Sequence, residues 1–128
     1  MATAAILTIG NEVLSGDTLN TNAAWLAQRL ERLGVHVRHT TVLPDEIDEI
    51  AGFVRERAPA VDFLIVTGGL GGTPDDLTRE SIAAAFGLEQ EEVPEVAADL
   101  RARFTRDPDY AARWAQLPAG ARRTRDHA

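Results

Sequence analysis

The sequence contains no cysteine and no lysine. The first absence excludes disulfide scaffolds, thiolate zinc sites, iron–sulfur clusters and cysteine nucleophiles. The second excludes Schiff-base chemistry and the lysine of a phosphate-binding P-loop, and all 13 basic residues are arginine. Only three histidines occur, and His36 and His39 lie close together in a segment that reads as a strand, so a histidine-rich metal centre is not expected. No run approaches the roughly 20 apolar residues of a membrane span. The segment Met1 to Gly10 has no basic leader and enters a strand pattern directly. The expectation is a cytoplasmic protein with neither a signal peptide nor a membrane partner.

The 128 residues are 45% apolar and 26% charged, the profile of one soluble globular domain. Twenty acidic against 13 basic residues give a net charge of −7, which repels nucleic acid and argues against it as a partner.

Ala4 to Ile9 is a short apolar run stopped by Gly10, read as a buried strand. Ala23, Leu26, Ala27, Leu30 and Leu33 recur at helical spacing, and Gly34 stands where a helix stops. A second strand runs from Val35 to Leu43, and Asp45 is placed to cap a helix with the stripe Ile47, Ile50, Ala51 and Val54. Phe63 to Thr67, the most hydrophobic segment, reads as a strand in the middle of a parallel sheet. Three helices follow: one ending at Phe86 before Gly87, one carrying Val93, Val96, Ala97, Leu100 and Phe104, and a short one opened by Asp107-Pro108. The order β-α-β-α-β-α-α-α predicts an α/β fold, a parallel sheet with helices on both faces. Residues 1–117 read as a single domain and 118–128 as a polar, basic tail with Arg122, Arg123 and Arg125.

Ligands of open parallel sheets bind beyond the carboxyl ends of the strands. Three loops meet there: Gly10 to Asn22, Leu43-Pro44-Asp45, and Thr67 to Thr78 with four glycines between Gly68 and Gly72. A glycine-rich loop leading into a helix directs N–H groups at an anion, which suits a phosphate. Asp75-Asp76 beside such a phosphate would repel it unless a cation intervenes, and Mg²⁺ takes carboxylate and phosphate oxygens together. A second reading stands beside this one: Thr73-Pro74-Asp75-Asp76 is also a helix start, with a threonine cap, a first-turn proline and acidic residues. Asp45, Asn20 and Asn22 are likewise readable as helix caps, Glu12 as a solvated side chain, and Trp25 and Trp114 as packing residues. The pairs Glu31/Arg32 and Arg55/Glu56 read as solvated faces.

The segments ILTIGNEVLSGDTLNTNAAWLAQRLERLGV, TTVLPDEIDEI and DFLIVTGGLGGTPDDLTRESIAAAFG resemble the molybdopterin-binding domain of the MoaB/Mog superfamily, and within it the CinA branch. The resemblance runs without a gap from Ala4 to Gly87 and continues faintly from Ala115 to Ala121. It implies a three-layer α/β/α sandwich, with a mostly parallel sheet, that assembles into homo-oligomers such as dimers or trimers. Leu70 and Gly72 depart from the residues usual in the molybdenum-cofactor enzymes, and this favours the CinA branch. The family pattern continues past the position of Ala128 into an Asn-Pro-x-Gly segment and two further strands, so the resemblance implies a sheet and site that this chain alone does not complete. The nicotinamide-nucleotide deamidase domain of longer members is not covered, and that activity is not carried over.

By the same resemblance, Asp45 and Asp76 match the two aspartates essential for molybdopterin adenylation. Thr67, Gly68, Gly69 and Gly71 match the backbone cradle, and Glu12, Asn20, Asn22, Asp75 and Thr78 belong to the recurring pattern of the CinA branch, with Gly10 a further expected ligand-binding residue. Asp75, Asp76 and Glu12 are the expected ligands of Mg²⁺ or another divalent metal. The implied ligand is molybdopterin or an adenine nucleotide. Three functions stay open: an enzyme, either a metal-dependent ADP-ribose pyrophosphatase or a molybdopterin adenylyltransferase; a module that binds without turnover; and a non-catalytic member acting through oligomer contacts.

Overall fold

Between Ala4 and Leu7 the chain offers no polar side chain, and such a segment is stable only where both sheet faces are covered. That is where the computed structural model, which describes residues 1–70 and 76–124, places it. Strand β1 (Thr3–Ile9) is central, and Ala4, Ala5, Ile6 and Leu7 are fully buried. Strands β2 (His36–Leu43) and β3 (Phe63–Thr67) pair with it on either side, both parallel, in the order β2-β1-β3.

Helix α1 (Asn11–Leu14) is a single turn after β1. Helix α2 (Thr21–Arg32) joins β1 to β2, α3 (Ile47–Arg57) joins β2 to β3, and α4 (Thr78–Phe86) follows β3. The chain steps outward from β1 to β2 and then back past β1 to β3. Right-handed crossovers therefore require α2 and α3 on opposite faces. The packing agrees. Leu7 and Ile9 form one core with Ile50, Ala51 and Val54 of α3 and Ala85 of α4. On the alternate face Thr8 bonds to Asn20, the residue that leads into α2, and Ala23 of α2 is buried. The result is an α/β sandwich with helices on both sides of a parallel sheet. Fully burying side chains such as Ile50 and Val54 contributes about 1.5–3 kcal/mol each.

The second half builds a smaller unit. Strands β4 (Gln90–Glu92) and β5 (Gln116–Pro118) pair antiparallel, with α5 (Pro94–Arg103) and α6 (Pro108–Ala112) between them. Ala97, Ala112 and Ala115 form its core. Trp114 receives Phe104 and Tyr110 edge-on, with ring centroids at 5.5 and 6.3 Å. Asp107 caps α6 as its sequence predicts, accepting from the Tyr110 N–H at 3.2 Å. Arg123 lies 2.9 Å from Asp99. No described helix is long and apolar enough to cross a membrane.

Five expectations are corrected. Phe63–Thr67 is not central: among the described residues β3 pairs only with β1, and Phe63 is 54% exposed. Apolar content alone does not rank strands by position, and β1 is the strand with two partners. Helix α4 starts at Thr78 rather than near Pro74, so Asp76 and Leu77 precede it. Asp45 does not cap α3, whose cap position is Glu46 with no side-chain bond. Trp25 is 59% exposed and stacks under Arg29, 5.5 Å from its ring, rather than packing into the core. Arg55 is more than a solvated charge, because its guanidinium donates to the Ala84 and Ala85 carbonyls at the end of α4. The one-turn α1 and the three-residue strands β4 and β5 escape the sequence pattern because segments so short carry no periodicity.

Candidate functional site

In the order β2-β1-β3 the chain leaves β1 toward the α2 face and leaves β3 toward the face shared by α3 and α4. The two exits diverge, and the gap between them at the carboxyl ends of the strands is where this architecture forms a crevice. A cavity of about 490 Å³ lies there, over Ile9, Gly10 and Gly69. Its volume is within the range of small-molecule sites, about 300–1,000 Å³.

The charge of its walls is one-sided. Glu12, Asp17, Asp45 and Asp76 line it, joined by the neutral Asn11 and Ser15, and among the described residues no arginine contributes. Two of these walls are tied together. The Asn11 backbone N–H donates to Asp45 Oδ2 at 3.2 Å, and the Asp45 N–H donates to Asn11 Oδ1 at 3.1 Å. The pair continues the β1–β2 contact, whose last ladder bond is Gly10 N–H to the Leu43 carbonyl at 3.0 Å. Pro44 follows, and it has no N–H with which to extend the ladder. Asp45 thus satisfies a first-turn N–H of α1, a group left unpaired by the helix itself. Ser15 Oγ in turn donates to Asp17 Oδ2 at 3.0 Å, holding that carboxylate at the far end of the same loop.

The third loop is fixed at its base. Gly68 has φ +87°, and a Cβ there would strike the Ile9 carbonyl oxygen; Gly69, at φ +63°, would strike Thr78 Oγ1. Thr78 is 4% exposed, its hydroxyl donates to the Gly68 carbonyl at 2.7 Å, and its N–H donates to the Gly69 carbonyl at 3.2 Å. Backbone of β1 and β3 is therefore in contact where the cleft begins, and only glycine fits.

Of the residues singled out in the sequence, Gly10, Glu12, Asp45, Gly69 and Asp76 converge on the cavity. Gly68 and Thr78 stand behind it as the loop base, and Thr67 ends β3. Asn20 sits at the cap position of α2 without capping it, and its Oδ1 accepts from Thr8 Oγ1 at 3.2 Å. Asn22 is exposed on the first turn of α2. Gly71 and Asp75 lie outside the described residues, as do Gly72, Thr73 and Pro74. Among the described residues no three His, Asp or Glu side chains are grouped closely enough to hold a metal ion by themselves. The sequence places Asn11, Ser15 and Asp17 in a ligand-side loop but does not single them out; the Ser-x-Asp spacing of the last two was the available signal.

A family model described as "Probable molybdopterin binding domain" matches residues 5–125. A CinA-like protein of Synechococcus sp. (strain CC9902) is 49% identical over 100 residues, covering 78% of this chain and 24% of the relative. One from Frankia casuarinae is 44% identical over 127 residues, covering 92% and 29%. The chain therefore spans less than a third of the length of these curated relatives. Among solved structures it is similar to the protein CinA, of unknown function, from Thermoplasma acidophilum, with TM-score 0.88 and 32% identity over 94% of this chain and 73% of that one. The molybdopterin biosynthesis enzyme MoaB of Thermus thermophilus aligns at TM-score 0.61 and 28% identity, covering 88% and 70%.

Proposed function

The chain belongs to the molybdopterin-binding domain family, CinA-like in type, and from that premise we propose that its cleft holds the phosphate end of a pterin or adenine nucleotide through a divalent cation, Mg²⁺. The observation that carries this reading is the charge of the cleft. Among the described residues its lining includes four carboxylates and no arginine, and an anionic ligand entering it is repelled by them until a cation offsets that charge. The donors fit the ion: Mg²⁺ prefers oxygen ligands and is ordinarily held by one or two carboxylates, with waters and substrate phosphates completing its shell. A preformed group of three ligands is not required.

Asp76 and Glu12, with Asp75, would hold the metal, which when bound neutralises charge on the phosphate oxygens. Backbone N–H groups of Gly69 and Gly71 would bind those oxygens, with Gly68 fixing the loop base behind them, and Gly10 leaves room beside them. Asn20, Asn22 and Thr78 belong to the polar rim and its support, with Thr67 setting the height of the loop. Where a phosphoanhydride is cleaved, as in ADP-ribose pyrophosphatase chemistry, Asp45 would orient the attacking water and accept its proton. Assembly into a dimer or trimer belongs to the same reading, and native mass spectrometry checks it.

Isothermal titration with molybdopterin, ATP and ADP-ribose, each with and without Mg²⁺, tests the proposal on the wild type and on Asp76→Ala. Metal-dependent binding that falls at least roughly 10-fold in the variant supports it. Binding that is equal with and without Mg²⁺, or absent for all three from folded protein, overturns it. Product analysis of the ADP-ribose and ATP samples separates turnover from binding alone.

A further inference from the structure

Among the described residues Asn11 is the one amide side chain in the cavity wall, and the Asp45 N–H fixes which way it is turned. That N–H needs an acceptor and finds Asn11 Oδ1 at 3.1 Å, so Oδ1 is the atom facing the second loop. The donor half, Nδ2, lies on the opposite branch of the same planar amide, turned away from the Asp45 N–H, and no described hydrogen bond engages it. The charged side chains of the described wall are all carboxylates, which when ionised accept and cannot donate. Asn11 thus brings an unengaged donor to a wall whose charged side chains can only accept.

From this placement we propose that Asn11 serves the cleft twice: through Oδ1 as the positioning residue that holds the Asp45 loop, and through Nδ2 as a ligand-contacting donor to an oxygen of the bound phosphate or heterocycle. The proposal rests on the reading of the cleft given above and adds a residue and a polarity to it. A carboxylate at position 11 would preserve the first role and abolish the second.

Two variants and two readouts decide it. In Asn11→Asp the acceptor for the Asp45 N–H is kept and the donor is lost; in Asn11→Ala both are lost. Amide hydrogen exchange at Asp45, measured by NMR on the ligand-free chain, reads the positioning role. Protection is expected in the wild type and Asn11→Asp and reduced protection in Asn11→Ala; equal protection in all three overturns that role. Titration with ADP-ribose, ATP and molybdopterin in Mg²⁺ reads the donor role. Binding is expected to weaken roughly 10- to 100-fold in both variants, the loss appropriate to a hydrogen bond to a charged group. Wild-type affinity in Asn11→Asp overturns it. If the wild type itself binds none of the three probes, the reading of the cleft fails and the donor role with it, while the exchange measurement still decides the positioning role.

Discussion

Asn11 and Asp45, 34 residues apart, each donate a backbone N–H to the other's side-chain oxygen, at 3.2 and 3.1 Å. The exchange joins the loops that leave β1 and β2 and places an aspartate at the first turn of α1, inside an acidic cleft. Asp45 is therefore structural and ligand-facing at once, and substitutions can separate the two roles.

Asp45→Asn keeps an oxygen to receive the Asn11 N–H but removes the charge. Its unfolding free energy is expected to stay within about 0.5–1 kcal/mol of the wild type, while Mg²⁺-dependent binding falls more than roughly 10-fold. Asp45→Ala loses the acceptor too and is expected to cost about 1 kcal/mol more in urea denaturation, the usual cost of a lost helix-end acceptor. Equal stability of the two variants would show that the exchange with Asn11 contributes nothing.

Gly68 and Gly87 both have positive φ, at 87° and 63°, but only Gly68 has a neighbour where a Cβ would go. Gly87→Ala should cost about 1–2 kcal/mol, from backbone strain alone. Gly68→Ala adds the collision with the Ile9 carbonyl and should cost about 2–5 kcal/mol. Comparing their denaturation midpoints checks the difference, and similar values would mean that β1 and β3 separate easily.

Thr78→Val replaces a buried hydroxyl that donates to the Gly68 carbonyl. A loss of about 1–3 kcal/mol is expected, with Thr78→Ser recovering most of it. If Thr78 serves the ligand only through the loop base, binding in Thr78→Ser should match the wild type. A large loss of affinity in that variant would instead assign the hydroxyl, or the methyl beside it, a direct contact.

Arg55 ties α3 to the last carbonyls of α4 at 3.3 and 3.5 Å. Arg55→Ala is expected to destabilise by about 0.5–1.5 kcal/mol in thermal or urea unfolding. Arg57→Ala, also on the last turn of α3, removes an arginine that stacks 5.8 Å over the Phe53 ring and has no described hydrogen bond to α4, and it serves as the comparison. A loss in Arg55→Ala no larger than that in Arg57→Ala would mean that the carbonyl contact adds nothing beyond what any arginine at this helix end contributes.

Much of this molecule is legible in one dimension. The apolar run Ala4–Ile9, the helical stripe Ile50, Ala51 and Val54, and the stop at Gly87 follow from local pattern, because burial periodicity and backbone sterics act over a few residues. So does the convergence of Gly10, Glu12, Asp45, Gly69 and Asp76, since parallel strands put all their carboxyl-end loops on one edge. Tertiary structure alone decided which strand is central, because strand order depends on pairing energies between distant segments. It decided that Asp45 serves α1 rather than its own helix, that Arg55 caps α4, and that Thr78 closes the glycine loop onto Gly68. Each of those is a hydrogen bond between groups 10 to 34 residues apart. Composition and spacing determine which donors and acceptors a chain owns, but only the folded geometry brings one within hydrogen-bonding distance of another.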